Sequence, residues 1–142
     1  MMKAKSIMTN KVVCVQKDEM VSEAAKKMKQ AGVGSVAVED QGKMVGIITD
    51  RDIVLRDLAE NANPGQCKCG DIMTTNIVTA SPESSINDVA QVMSQRQVKR
   101  VPIVKEEKVI GMVSLADLSQ TRGKKSEAGD TLRDITDKQT LS

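Results

Sequence analysis

Residues 45–54 read "VGIITDRDIV" and residues 110–119 read "IGMVSLADLS". In each stretch a glycine leads through two apolar residues to a hydroxyl residue, and an aspartate follows three positions later. Gly46, Thr49 and Asp52 in the first become Gly111, Ser114 and Asp117 in the second, a constant offset of 65. Outward from there, residues 7–54 align with 72–119 without a gap, and 12 of the 48 positions are identical. "IMTNKVVCV" falls on "IMTTNIVTA", and "SEAAKKMKQAGVGSVAV" on "NDVAQVMSQRQVKRVPI". Such a match indicates two copies of one supersecondary unit.

Within a copy, Val21, Ala24, Ala25 and Met28 recur at helical spacing, as do Ile86, Val89, Ala90 and Met93. Ser85 followed by Asp88 predicts a capped start for the second helix. "GSVAV" and "RVPIV" predict short strands, "KMVGIIT" and "KVIGMVS" the strands that follow, and the polar "EDQG" and "KEE" the hairpin turns between them. After Thr49 a further helical run, "DRDIVLRDLAE", begins. Each copy is thus expected to be β-α-β-β-α. One copy leaves an apolar sheet face uncovered, and two copies packed about a pseudo-two-fold axis would cover both. "ENANPGQCKCG" at 60–70 holds Asn, Pro and Gly without periodicity and reads as a linker. Ala128, Leu132 and Ile135 suggest one short helix in the polar tail.

Composition narrows the chemistry. A chain of 142 residues is about one domain's worth. Phe, Tyr, Trp and His are all absent, so the core is built from Val, Ile, Leu, Met and Ala. Without His there is no Ser-His or Cys-His pair and no imidazole base. Without aromatics there is no platform for stacking single-stranded bases. A net charge of +2 over mixed signs does not point to a polyanion. The odd cysteine count, Cys14, Cys67 and Cys69, with no signal sequence, fits a reducing cytoplasm better than a disulfide scaffold. No apolar run reaches membrane-spanning length. "CKCG" at 67–70 offers two thiols, too few for a closed zinc site when histidine is missing.

The glycine–hydroxyl–aspartate pattern leaves two readings open. Thr49 and Ser114 at strand ends, with Asp52 and Asp117 in the first helical turn, can be plain helix caps. The same groups can also bind a nucleotide. A helix start favours phosphate, and a carboxylate can accept both hydroxyls of a ribose. Glycine in the preceding strand would let a flat ligand approach the backbone. With no aromatic to stack on, a base would lie between aliphatic walls. Val12, Val13, Ile77 and Val78 from the first strands and Val36, Val101 and Pro102 at the strand entries are the candidates, each equally suited to a core. The copies differ around the phosphate position. Lys99 and Arg100 stand where the first copy has Gly34 and Ser35, and Arg51 stands where the second has Ala116.

Together, "IMT" opening each copy, "VGIITDRDI", "IGMVSLADL" and "VKRVPIV" make residues 1–120 resemble a tandem pair of cystathionine β-synthase (CBS) domains, a Bateman module of the stand-alone bacterial or archaeal type. The resemblance implies an α/β fold of two pseudo-symmetric β-α-β-β-α repeats packed sheet to sheet. Its divisions would be repeat 1 at 1–59, a linker at 60–70, repeat 2 at 71–121 and a tail at 122–142. It further implies a non-catalytic regulatory module that binds an adenine nucleotide (AMP, ADP or ATP) in clefts between the repeats and reports its level to a protein partner. Carried over by motif, Asp52 and Asp117 would hold ribose, and Thr49 and Ser114 phosphate. No cofactor, metal, nucleic acid or membrane is expected. A cytoplasmic homodimer is, with Val92 in place of Lys27 widening one helix's apolar stripe. The rival readings are a structural scaffold with unoccupied clefts and, behind it, a redox sensor using Cys67 and Cys69.

Overall fold

The apolar spacing that predicts two helices is realised in α2 (Val21–Ala31) and α5 (Ile86–Arg96). Helix α2 buries Val21, Ala24 and Met28, leaves Ala25 exposed, and ends on Gly32 in the left-handed conformation. Helix α5 buries Ile86, Val89, Ala90 and Met93, and its cap Ser85 accepts a bond from the Asp88 N–H at 3.1 Å. The computed structural model describes residues 2–121, so the tail and its expected helix lie outside the described residues.

The predicted hairpins are β2 (Ser35–Asp40) with β3 (Lys43–Thr49), and β4 (Arg100–Lys105) with β5 (Lys108–Ser114). Both pair antiparallel and shift register at equivalent places, Val38/Glu39 and Ile103/Val104. Their turns take positive φ at two successive residues, Gln41–Gly42 and Glu106–Glu107, the conformation that suits two-residue hairpins. A short β1 (Cys14–Gln16) runs parallel to β2 and completes a sheet in the order β1-β2-β3.

Among the described residues the second copy has no matching strand beside β4. Residues Ile77 and Val78, expected in one, lie outside any strand, and only an Ala80–Ile103 bridge remains. Proline explains the loss. In the first copy Ala37 N–H donates to Val13 and Lys17 N–H to Glu39, at 3.0 and 2.8 Å. The offset puts Pro102 and Pro82 at those two donor positions, and proline has no N–H to give.

The remaining helices are short. They are α1 (Ala4–Ile7), α3 (Asp50–Asp52), α4 (Cys69–Ile72) and α6 (Leu115–Gln120). Helix α3 runs on as a π-helical turn over Ile53–Leu58, closed by Ala59 N–H to the Val54 carbonyl at 3.0 Å.

The chain divides into two compact units, and these are not the two sequence copies. One unit is Val12–Ile77, and the other joins the residues up to Lys11 to the chain from Val78 onward. Each has its own core. Val15, Val21, Ala24, Met28, Val36, Val38, Ile48, Cys69 and Ile72 pack in the first. In the second, Ala4, Ile86, Val89, Ala90, Met93, Val101, Ile103, Val113 and Leu118 do so. Thus Ile72, which opens the second copy, fills the core of the Thr49 unit, while Ile7, which opens the first, packs against the core of the Ser114 unit.

Helix α4 is brought to its place by a clamp on the 60–70 segment. Asp57 is buried, and its carboxylate accepts bonds from Asn61 Nδ2 at 2.8 Å, Gly65 N–H at 2.7 Å and Cys67 Sγ at 3.2 Å. Burial alone would push this carboxyl up. The three donors outweigh it and hold Asp57 below the ordinary carboxylate value.

Two predictions follow from this packing and from the glycines in β3 and β5. A Cβ on Gly46 would stand 2.6 Å from Met73 Sδ and 3.0 Å from the Thr74 carbonyl, and one on Gly111 would stand 2.8 Å from Met8 Cγ. Gly46→Ala and Gly111→Ala are each expected to lower unfolding free energy by about 1–3 kcal/mol, as overpacked sites do, measured by urea denaturation. Asp57→Asn removes one acceptor of the clamp and is expected to cost about 1–3 kcal/mol at neutral pH. Because the folded-state value of Asp57 is depressed, its contribution is complete above the unfolded carboxylate value, about pH 4. That contribution disappears as pH falls through the folded value. The stability gap between wild type and Asp57→Asn should therefore be widest near pH 7 and narrow below about pH 4; a gap that stays constant would contradict the assignment.

Candidate functional site

The motif that opens each copy and the motif that ends its strands are joined crosswise. In the Val12–Ile77 unit, Ile47 N–H donates to the Thr74 carbonyl at 3.0 Å and Thr74 N–H to Ile47 at 2.8 Å. In the other unit, Thr9 and Met112 exchange the same pair at 2.9 and 3.0 Å. The Met73 and Met8 side chains therefore lie flat on Gly46 and Gly111. This corrects one expectation. These glycines clear space for a methionine of the chain, rather than for a flat ligand.

Just beyond each bridge the strand ends in a reciprocal cap. Thr49 Oγ1 accepts from Asp52 N–H at 3.1 Å, and Asp52 Oδ2 accepts from Thr49 N–H at 3.0 Å. Ser114 and Asp117 repeat this at 3.1 and 2.8 Å. The capping reading is therefore correct as local structure, and it settles how the hydroxyls and carboxylates are aimed. Each serves the first helical turn while its remaining lone pairs stay available for other partners.

The carboxylates differ in their surroundings. Asp52 is buried. The Thr74 hydroxyl stands 3.3 Å from both of its oxygens, and Arg56 Nε lies 3.7 Å from Oδ1. Arg56 is anchored in turn by the Ile72 and Met73 carbonyls at 3.3 and 3.4 Å. Asp117 is half-buried and, among the described residues, has the Ser114 N–H as its one donor. Thr121 replaces Arg56 at the offset, and its hydroxyl donates to the Asp117 backbone carbonyl at 2.8 Å.

The structure puts the other candidates in three settings. Lys99, Arg100 and Arg51 are exposed, and Arg100 is paired in register with Ser114, so their side chains leave the same face of the hairpin. Lys99 lies next to the cap, its carbonyl accepting from Leu115 N–H at 2.9 Å. Val12, Val13, Ile77 and Val78 are half-buried; Val12 and Val13 precede β1 rather than belonging to it. Val36 and Val101 sit inside the two cores, and Pro102 is buried with its carbonyl accepting from Ala80 N–H at 3.0 Å. Thr74 and Arg56 escaped the sequence reading. Thr74 was visible only as the last letter of "IMT", and nothing in a repeat alignment says which copy's aspartate it meets.

Cys67 and Cys69 do not form a reactive pair of thiolates. Burial, with nearby carboxylates, pushes Cys67 and Cys69 up to about 11, and the same holds for Cys14. Among the described residues no three Cys, Asp or Glu side chains gather as a metal would need. No helix there is long and apolar enough to cross a membrane.

Comparison with known proteins gives a consistent picture. The CBS domain family model matches twice, at residues 4–58 and 69–122. The CBS domain-containing protein YhcV of Bacillus subtilis is 38% identical over 135 residues, covering 95% of this chain and 96% of the relative. A solved CBS domain pair, that of protein MJ0100 in complex with 5-methylthioadenosine and S-adenosyl-L-methionine, is 31% identical with a TM-score of 0.76, covering 87% of this chain and 98% of that one. Hypoxic Response Protein I, solved with two coordinated zinc ions, is 32% identical with a TM-score of 0.76, covering 84% and 98%.

Proposed function

The chain belongs to the CBS domain family, as a pair of such domains of mixed α/β fold, and we propose that it is a cytoplasmic sensor of an adenosine-containing nucleotide of the AMP, ADP or ATP class. It carries out no chemistry of its own. Occupancy is passed to a protein partner as a change in the surface it presents. The Thr49–Asp52 and Ser114–Asp117 pairs hold phosphate through the hydroxyl and ribose through the carboxylate. The observation that carries this reading is the reciprocal cap. It fixes a hydroxyl and a carboxylate side by side at a strand end in both units, with lone pairs to spare. The ligands of the MJ0100 pair, a protein 31% identical over most of both chains, support an adenosine moiety in the ligand here; the phosphate rests on the cap alone.

Calorimetry with AMP, ADP, ATP and S-adenosylmethionine tests the reading. A hydrogen bond to a charged group contributes about 1.5–3 kcal/mol, so losing a ribose carboxylate weakens its site roughly tenfold to a hundredfold. The double variant Asp52→Ala/Asp117→Ala is expected to lose measurable binding while remaining folded. Wild type that binds none of the four ligands would leave the scaffold reading in possession, and a double variant that binds normally would remove the ribose assignment.

The chain acts as a homodimer. The π-helical turn leaves Val54, Leu55 and Leu58 at 51%, 47% and 55% exposure, and water is a poor neighbour for three large aliphatic side chains on one short segment. A second copy covering them in a stable dimer would bury upwards of about 1,200 Å² in total. Light scattering is expected to give twice the chain mass at micromolar concentration. Leu55→Glu/Leu58→Glu should return the chain mass with the fold intact; a wild-type monomer would exclude the dimer.

A further inference from the structure

In each unit a methionine side chain lies directly on the backbone of a strand. Met73 Sδ is so close over Gly46 that a Cβ there would stand 2.6 Å from it, and a Cβ on Gly111 would stand 2.8 Å from Met8 Cγ. The residue after each methionine is pinned to the same strand by two amide bonds, Thr74 to Ile47 and Thr9 to Met112. Met8 and Met73 are half-buried, so solvent reaches part of each side chain, whereas Met28 and Met93 are buried in the two cores.

The rest of the sequence leaves oxidation largely to methionine. The chain has 9 Met and no Trp, Tyr or His. Its three thiols are poor competitors. Burial, with nearby carboxylates, pushes Cys14, Cys67 and Cys69 up to about 11, and the thiolate is the form that attacks an oxidant. A thioether has no proton to lose, so its reaction does not wait on ionisation.

We propose that Met8 and Met73 are oxidation sites through which a hydroperoxide loosens the two units: each sulfoxide leaves its glycine, and the bridge beside it opens. The sulfur gives an electron pair to one peroxide oxygen, and an S–O bond forms as the O–O bond breaks. The proton of the transferred oxygen passes to the departing oxygen, which leaves as water or an alcohol. Sulfur is oxidised by two electrons and the peroxide is reduced by two. On the strand side there is no room for the new oxygen, since a carbon placed there already meets the methionine. On the outer side it turns an apolar cover into a polar group drawn towards water. Either way the contact with glycine weakens. Thr49 and Ser114 end the same two strands, and the Thr74 hydroxyl stands 3.3 Å from Asp52, so the loosening reaches the caps.

Stepwise treatment of the intact protein with hydrogen peroxide tests this. Peptide mass spectrometry places each sulfoxide, and amide hydrogen exchange follows the bridges. Exposed Met2 and Met20 are expected to oxidise first, with no change in exchange at the bridges. As Met8 and Met73 follow, the amides of Thr9, Ile47, Thr74 and Met112 should exchange about tenfold faster or more, and methionine sulfoxide reductases should restore their protection. Met8→Leu/Met73→Leu keeps an apolar cover of similar size and should hold its protection at the same peroxide dose, with half-buried Met44 and Met112 still present. Met2→Leu/Met20→Leu should respond as wild type does. Three results would each overturn the proposal. In the first, Met8 and Met73 stay reduced while buried Met28 and Met93 oxidise. In the second, protection is unchanged once Met8 and Met73 are sulfoxides. In the third, the Met8→Leu/Met73→Leu protein opens as wild type does. The first two are read on wild type alone and decide the matter whether or not the leucine variant folds.

Discussion

Everything around the candidate sites depends on one short antiparallel bridge made twice, Thr9 with Met112 and Thr74 with Ile47. Each bridge lays a methionine over a glycine, Met8 on Gly111 and Met73 on Gly46. The strand then has one residue position with no side chain, and the methionine supplies the missing volume. Its flexible thioether suits an irregular gap in a core without a single aromatic ring. The bridge also sets what stands beside each aspartate. Thr74 reaches Asp52 because its backbone is pinned to Ile47.

Much of the architecture was legible because the chain states it twice. The strands "KMVGIIT" and "KVIGMVS" begin and end where the alternation says, and both long helices bury the residues whose spacing marked them, Ala25 aside. A gapless repeat cannot show, however, whether "IMT" packs on its own copy's strand or on the other's, since both strands carry the same glycine. The physical reason for Gly46 and Gly111 was therefore misread as room for a ligand. The clamp on Asp57 was hidden for another reason. Its donors, Asn61, Gly65 and Cys67, sit at no regular period, and their meeting depends on a turn that the polar linker composition leaves unspecified.

The missing strand of the second copy was legible in principle. Pro82 and Pro102 both occupy positions whose partners in the first copy donate to the parallel ladder. Repeats that look alike in apolar pattern can diverge in hydrogen bonding through two such residues. The same lesson applies to the aspartates. Their caps are nearly identical, yet Asp52 also meets Arg56 and the Thr74 hydroxyl, whereas among the described residues Asp117 has the Ser114 N–H alone. The motif fixes where the carboxylate is, and its neighbours decide what it is free to do.

The crosswise bridge also bears on the order in which a ribosome delivers the parts. All partners of the Val12–Ile77 unit leave the tunnel within one continuous stretch, so that unit can close while the rest is still being made. The residues around Met8 have no such option. Their strand arrives only with Met112, about a hundred positions later, and until then a methionine-bearing segment trails from a half-built molecule. The residues around Met8 can thus settle only after the Val12–Ile77 unit, although they precede it in the chain.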